Sequence, residues 1–280
     1  MTISVLTNIS SLNAQRNLTG TQNALAASVG RLSSGMRINT ASDDAAGLGI
    51  SENLKSDLRS MAQAQRNAND GISMSQVAEG SMNEMQGIVS RMRELSIQSA
   101  NATLGDTERG YIQTEFTQLS EEINRISAVT DFNGQKLLNG DAAGGLSFQI
   151  GIQDTADDRI TMQIDELSTS TLGLSTLFIA DADLATAGGA QTAIGAFDKA
   201  IQQLSQARAK VGATQNRMTV TVSNLAVTQE NLTAANSRIR DVDVAQESAN
   251  LTKSQILSQA GLAVLAQANQ LPQSALSLLR

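Results

Sequence analysis

Between Phe197 and Ile239 an apolar side chain returns at every seventh position: Phe197, Leu204, Val211, Met218, Leu225, Leu232 and Ile239. Ile201 and Val222 add apolar residues at the four-residue offset. A heptad kept this long predicts one continuous helix with a coiled-coil seam. At ~1.5 Å rise per residue the segment runs roughly 65 Å, against a radius of gyration of ~19 Å for a compact chain of this length. The sequence therefore predicts a mainly α, elongated, coiled-coil-like helical rod. Partner helices are visible in Ile112, Phe116, Leu119, Ile123 and Ile126, and in Met74, Ala78, Ser81, Met85, Ile88, Met92 and Leu95. Leu54, Leu58, Met61, Ala68 and Ile72 extend the second helix upstream, in a register that slips near Gly71. These stripes read as core packing rather than as the lining of a cofactor site.

From Asp131 to about Ala190 the period changes. "FNGQKLLNG" (132–140) carries two Asn-Gly turns. "LSFQIGI" (146–152) and "RITMQI" (159–164) are short and alternating, with "QDTADD" between them, which predicts a β-hairpin region around 141–180. Both chain ends return to helical spacing. The head has Leu18, Leu25, Val29, Leu32 and Met36; the tail has Leu257, Gly261, Val264, Ala268, Leu271, Ala275 and Leu278. Pro272 is expected to disturb the tail helix locally. Arg16 is the one charged side chain in 1–30, and 254–279 has none, so the two ends form one kind of region and the middle another.

Composition narrows the function. Aromatics make up 2% of the 280 residues and there is no Trp, so the core must rest on aliphatics, Met and Ala. The single proline permits very long helices. His and Cys are both absent, which excludes a Ser-His-Asp or Cys-His mechanism in cis, disulfides and thiolate metal sites. A net charge of −7 argues against nucleic acid and anionic membrane surfaces as partners. No apolar run approaches the ~20 residues of a membrane-spanning helix, and "MTISVLTNISSLNAQR" has no secretory-signal pattern. Asp43-Asp44 reads as an acidic turn at a helix N-terminus, and "QDTADD" (153–158) as a polar hairpin turn rather than a Ca²⁺ loop. No cofactor, metal or enzymatic activity is expected.

Five stretches carry a resemblance: "RLSSGMRINTASDDAAGLGIS" (31–51), "RNANDGISMSQVAEG" (66–80), "RMRELSIQSAN" (91–101), "FNGQKLLNG" (132–140) and the long "LTAANSRIRDVDVAQESANLTKSQILSQAGLAVLAQANQLPQSALSLLR" (232–280). In this order and spacing the chain resembles the bacterial flagellins over roughly 1–140 and 190–280. The resemblance implies a subunit that polymerises into the flagellar filament, with paired terminal helices (1–42 with 242–280) lining an inner core and a helical rod with its hairpin (43–241) forming the next shell. It implies a short form without variable outer domains. Leu18, Leu25, Leu32, Leu257, Val264, Leu271 and Leu278 are then the self-assembly core, ordering on assembly, and Phe197 to Ile239 the rod seam. The implied partners are other copies of the chain, an export chaperone on the C-terminal tail, filament cap and hook-associated proteins, and the Toll-like receptor for flagellin. Arg91, Glu94, Leu95, Gln98 and Glu115 match the receptor and inter-subunit contact positions; Ser90 and Met92 depart from the usual Gln and Val. Secretion to the extracellular filament without a cleaved signal peptide follows. The alternative in the same class is a hook–filament junction protein; from another class, an adhesin or receptor ligand.

Overall fold

A computed structural model describes residues 7–174 and 176–277, with side chains described through Gln270. Five helices dominate: α1 (Ile9–Ser34), α2 (Ala45–Ser99), α3 (Asp106–Val129), α4 (Ala187–Arg240) and α5 (Val244–Ser277). Between α3 and α4 lie three two-stranded antiparallel sheets, β1 (Asp131–Phe132) with β2 (Gln135–Lys136), β3 (Leu146–Gln149) with β4 (Arg159–Met162), and β5 (Gly173–Leu174) with β6 (Leu177–Phe178). The chain divides into two compact units, Met1–Leu58 with Glu230–Arg280 (unit 1) and Arg59–Gln229 (unit 2). The divisions fall inside α2 and α4, while the loops near residues 42 and 242 lie within unit 1.

Short polar side chains start the helices where the sequence puts them. Asn8 accepts from the Ser11 amide at 3.1 Å at the head of α1, Asp44 from the Gly47 amide at 2.9 Å at the head of α2, and Asp243 from the Ala245 and Gln246 amides at 2.9 and 3.1 Å at the head of α5. Each satisfies a backbone donor that the first turn leaves unpaired. Gly35, at φ 72°, ends α1 in the left-handed conformation that costs glycine little. The Asn133-Gly134 turn takes positive φ at both residues (53° and 82°) and closes β1 onto β2, as its dipeptide demands. Pro272 does not end α5, which stays helical through Ser277.

The core sits in unit 2. α4 contributes Phe197, Leu204, Val211 and Met218, all at most 1% exposed. Phe197 meets Phe116 of α3 edge to face, centroids 5.9 Å apart. The second α4 seam is Ala193, Ala200 and Ala207 rather than Ile201, which is partly buried. Alanine at every second seam position admits close helix approach but gives a weak sequence signal.

Two expectations are corrected. First, α2 has no register slip at Gly71. Its buried series runs Ala64, Ala68, Gly71, Ser75, Ala78, Met82, Met85, Val89 and Met92 in unbroken 4-3 steps, across small residues that hydrophobicity alone overlooks. A Cβ on Gly71 would lie 2.8 Å from the Met218 sulfur and 3.1 Å from the Phe148 ring, so α2, α4 and the β3–β4 hairpin converge there. Second, the α4 seam is not uniformly buried: Leu225, Leu232 and Ile239 are half-exposed. Ile150 and Ile160 of the β3–β4 hairpin close over Ala68 and Met218, and Val222 is the last α4 residue packed against that cluster.

The predicted hairpin forms as β3–β4, with Leu146 opposite Met162 and Phe148 opposite Ile160. Its connecting carboxylates serve the turn itself: Asp154 pairs with Arg159, and Asp158 accepts from the Thr155 hydroxyl at 2.8 Å.

Candidate assembly interface

Within unit 1, α1 and α5 run antiparallel. Asn8 Nδ2 donates to the Ala268 carbonyl at 2.8 Å, Ser11 Oγ to Asn269 Oδ1 at 2.8 Å, and Leu18 lies over Gly261. The facing positions keep a heptad on both helices: Ser11, Ala14, Leu18, Thr21, Leu25, Ser28 and Leu32 on α1, and Glu247, Leu251, Ser254, Ser258, Gly261, Leu265 and Ala268 on α5. The seam is narrow and built largely from small side chains, so the helices approach closely but bury little. Leu18 is buried, and Leu25 and Leu32 are half-buried, as the head stripe predicts.

The tail stripe is corrected. Leu257 and Val264 are 49% and 54% exposed and do not face α1. The seam follows Ser258 and Leu265, one residue further along the helix, because Gly261 and the serines let α1 sit down on that side. Ile256 and Leu262 are exposed beside them, as are Ile9, Leu12 and Val29 on α1. The Leu271 side chain and Leu278 lie outside the described residues. The pair of helices thus leaves large aliphatics uncovered, and an exposed apolar surface of that kind marks an interaction site.

The turn joining the paired helices to the rest of unit 1 is tightly hydrogen-bonded. Arg37 N donates to the Arg240 carbonyl at 2.6 Å, Val242 N to the Gly35 carbonyl at 3.0 Å, and Ser51 Oγ to Asn236 Oδ1 at 2.7 Å. Asp43 Oδ2 accepts from the Thr40 amide (3.0 Å), the Thr40 hydroxyl (3.0 Å) and the Asn39 amide (3.2 Å). The Thr40 amide, then its hydroxyl, the Asn39 amide and Arg31 hold the Asp43 carboxyl below its ordinary value. The acidic dipeptide is a helix-start turn, as read from the sequence.

On unit 2, Arg91 donates to Glu115 at 3.0 Å and to Glu94 at 3.1 Å, tying α2 to α3 across an exposed face. Those two carboxylates, Glu115 first, raise the Arg91 guanidinium further above its ordinary value. Gln98 is exposed on the same helix, and Tyr111, 72% exposed, precedes Glu115 by one turn. Leu95 is the exception and a correction: it is 1% exposed within the helix core and presents no surface to a partner. The resemblance placed it on the contact face, but it packs in the same cluster as Ile112 and Phe116 of α3 and Phe197 of α4.

Several polar residues that the sequence reading passed over hold the α2–α3 turn and the segment before α4. Arg109, 6% exposed, donates to the carbonyls of Ser99, Asn101 and Leu104, at 3.0 and 3.1 Å for the last two, and so caps the C-terminal end of α2 with a charge the helix dipole favours. Ser99 Oγ donates to the Leu184 carbonyl, and Gln113 Oε1 accepts from the Leu184 amide at 2.7 Å. Gln203 accepts from the Gly173 amide at 2.8 Å, and Asn124 from the Thr169 amide at 3.1 Å. Nothing in their spacing distinguishes these from solvent-facing helix residues.

Long helices with half-covered apolar faces and a side-by-side antiparallel pairing of the first and last helices suit a protein that associates through helix surfaces. The model of the bacterial flagellin N-terminal helical region matches residues 5–143, and that of the C-terminal helical region matches 194–279. The chain belongs to the bacterial flagellin family. It is 44% identical to flagellin of Halalkalibacterium halodurans over 98% of both chains. It is also 44% identical to the 33 kDa flagellar filament core protein of Treponema phagedenis, again over 98% of both. A putative flagellar hook-associated protein from Vibrio parahaemolyticus shares the fold at a TM-score of 0.58 and 14% identity, covering 71% of this chain and all of that one. Residues 144–193, between the two family regions, hold β3 to β6, so this is a short member of the family. It is a structural subunit of the flagellar filament. No helix among the described residues is long and apolar enough to cross a membrane.

Proposed function

We propose that the uncovered aliphatics of the α1–α5 pair are the surface through which copies of this chain pack in the filament. Leu257 and Val264, with Ile256 and Leu262, carry the reading: they are large, apolar, about half exposed or more, and set on a helix that carries no charge from Ser254 to its end at Ser277. In a helical polymer like charges would recur at every subunit around the axis, so an uncharged surface suits the innermost layer. Residues 1–42 with 242–280 form that layer and 43–241 the next. Because the α1–α5 seam buries little, the pair is marginal alone, and neighbouring copies supply the missing burial and order the ends on assembly. The same exposed tail is what an export chaperone holds before polymerisation, and cap and hook-associated proteins meet the ends of the same stack. Secretion proceeds without a cleaved signal peptide. On unit 2 the Arg91, Glu94, Gln98 and Glu115 face contacts a neighbouring copy in the filament and the Toll-like receptor when the subunit is free.

The test is seeded elongation of the purified chain carrying Leu257→Glu and Val264→Glu. The expected outcome is loss of elongation at concentrations ~100-fold above the wild-type threshold, since two buried leucine-sized contacts per subunit are worth about 3–6 kcal/mol. The thermal unfolding of unit 2 stays unchanged. Normal elongation of the double variant would sink the assignment.

A further inference from the structure

The two flanks of the α1–α5 pair are unlike. On one of them a groove of about 650 Å³ runs between the helices, lined by Gly20, Ala24 and Ala27 from α1 and by Leu257 from α5. A Cβ on Gly20 would meet nothing within 4 Å, so the groove is open at that point. The four charged residues of the two helices, Arg16, Arg31, Glu247 and Lys253, all border it. Most of its lining residues precede a seam position by one. Residues that follow a seam position by one lie ~200° further around each helix, on the opposite flank. That flank carries no charge. Its large aliphatics are Leu12, Val29 and Leu262, each just over half exposed. Gln15, Gln22, Gln255 and Gln259 stand exposed among them.

Glu247 shows what the groove lacks. It is 7% exposed, and its Oε1 accepts no hydrogen bond among the described residues. The Arg31 guanidinium stands 3.9 Å from that oxygen, too far to donate, and is shared with Asp43 at 3.6 Å. Oε2 takes a long bond of 3.4 Å from Asn250. A buried carboxylate oxygen without a donor is costly, so the groove asks for an N–H or O–H at its Glu247 end and for aliphatic cover at Leu257. An acidic occupant brings no donor and sets like charge against Glu247. A basic one crowds Arg16 and Lys253. The uncharged flank of a second copy supplies both aliphatics and amide donors. A helical polymer also joins its copies through two different surfaces, which these flanks are.

We propose that the uncharged flank of one α1–α5 pair, with Leu12, Val29 and Leu262, seats in the groove of the next copy, and that a glutamine of that flank donates to Glu247. The inference rests on the filament reading and adds which side of each pair meets which. Because groove and ridge are different surfaces, each copy offers one of each and the contact repeats without closing. Small residues in the groove let the neighbouring helix come close to Leu257. Arg16 and Lys253, exposed at the border, keep their charged heads in water while their stems cover aliphatic surface.

The chain has no cysteine, so engineered thiols report the contact cleanly. Full-length Ala24→Cys marks the groove, and Leu12→Cys, Val29→Cys and Leu262→Cys mark the other flank. Each flank variant is copolymerised with Ala24→Cys on wild-type seeds and treated with a short bismaleimide. Mixed covalent dimers are expected with at least one flank variant, in at least tenfold excess over dimers of either variant alone, and only in filaments. Same-variant dimers as abundant as mixed ones, or no mixed dimers in filaments that form normally, overturn the docking. Glu247→Leu tests the donor. If a neighbour serves Glu247, the variant raises the concentration threshold for elongation about tenfold, because the neighbour's donor is then left unpaired, while the free chain unfolds as wild type does. Glu247→Gln, which keeps an acceptor, stays within about threefold of wild type. Unchanged or improved elongation of Glu247→Leu overturns the docking as well. A wild-type chain that fails to elongate seeds overturns the filament reading itself, a result distinct from each of these.

Discussion

Units 1 and 2 are cut from the same two long helices, yet they reach stability differently. Unit 2 buries aromatic, methionine and leucine side chains among three helices and a hairpin, and Phe197, Met82, Met85, Met92 and Ile123 are fully inaccessible. In unit 1 the buried apolar side chains among the described residues are Leu18, Ile38 and Ala268. Charge divides the same way. Unit 1 carries eight Lys and Arg against eight Asp and Glu, whereas unit 2 carries twelve against nineteen, so the whole net charge of −7 belongs to unit 2. The contrast separates two jobs. A unit with its own core and a net charge stays folded and soluble as a free subunit. On the proposed reading, a neutral unit with a thin core and exposed aliphatics gains most of its burial from copies of itself.

The sharpest way to break the contrast is to empty the unit 2 core. Phe197→Ala is expected to cost about 3–5 kcal/mol, because a fully buried ring in contact with Phe116 leaves a cavity between α3 and α4. The check is denaturant unfolding followed by helical signal. If unit 1 depends on neighbours rather than on unit 2, amide exchange in α1 and α5 of the monomer changes little.

Next in size is Arg109→Met, which keeps the side-chain length and removes the donors to three carbonyls. A loss of roughly 1–3 kcal/mol is expected, with exchange rising first around residues 99–106. A silent substitution would show that water serves those carbonyls equally well.

A smaller, pH-dependent effect belongs to unit 1. The folded Asp43 carboxyl titrates below its ordinary 3.8, so its contribution is fully present above that value and is lost as pH falls through the lower folded one. Carboxyl titration by NMR is expected to give a midpoint below 3.8, and Asp43→Asn to remove that acid-side loss from the 35–44 turn without touching unit 2. A midpoint above the ordinary value contradicts the hydrogen bonding drawn from Thr40 and Asn39.

The least effect on folding is expected from Arg91→Ala. Its partners Glu94 and Glu115 are 68% and 45% exposed, and exposed pairs contribute at most ~1 kcal/mol. Unfolding midpoints therefore stay nearly constant, while binding of the free subunit to the receptor ectodomain and filament elongation both weaken. A large stability loss would make Arg91 a folding residue instead of a contact.

Much of this architecture was legible along the chain. The heptad from Phe197 through Met218 marks a real seam, the Asn-Gly and alternating stretches give β1–β2 and β3–β4, and Asp44 starts the helix it precedes. These are local matters, set by backbone preference, turn chemistry and the period at which bulky apolar residues recur. β5–β6 gave no such signal. What escaped the sequence lies in choices between neighbouring surfaces. Whether Leu257 or Ser258 faces α1, whether Leu95 points outward, and which side of α2 continues through Gly71 all depend on which helix comes close. Small residues decide that by permitting approach rather than by adding hydrophobicity. Arg109 is the plainest instance: its sequence neighbours describe an exposed charge in the first turn of α3, and only the folded chain brings the end of α2 within reach of its guanidinium.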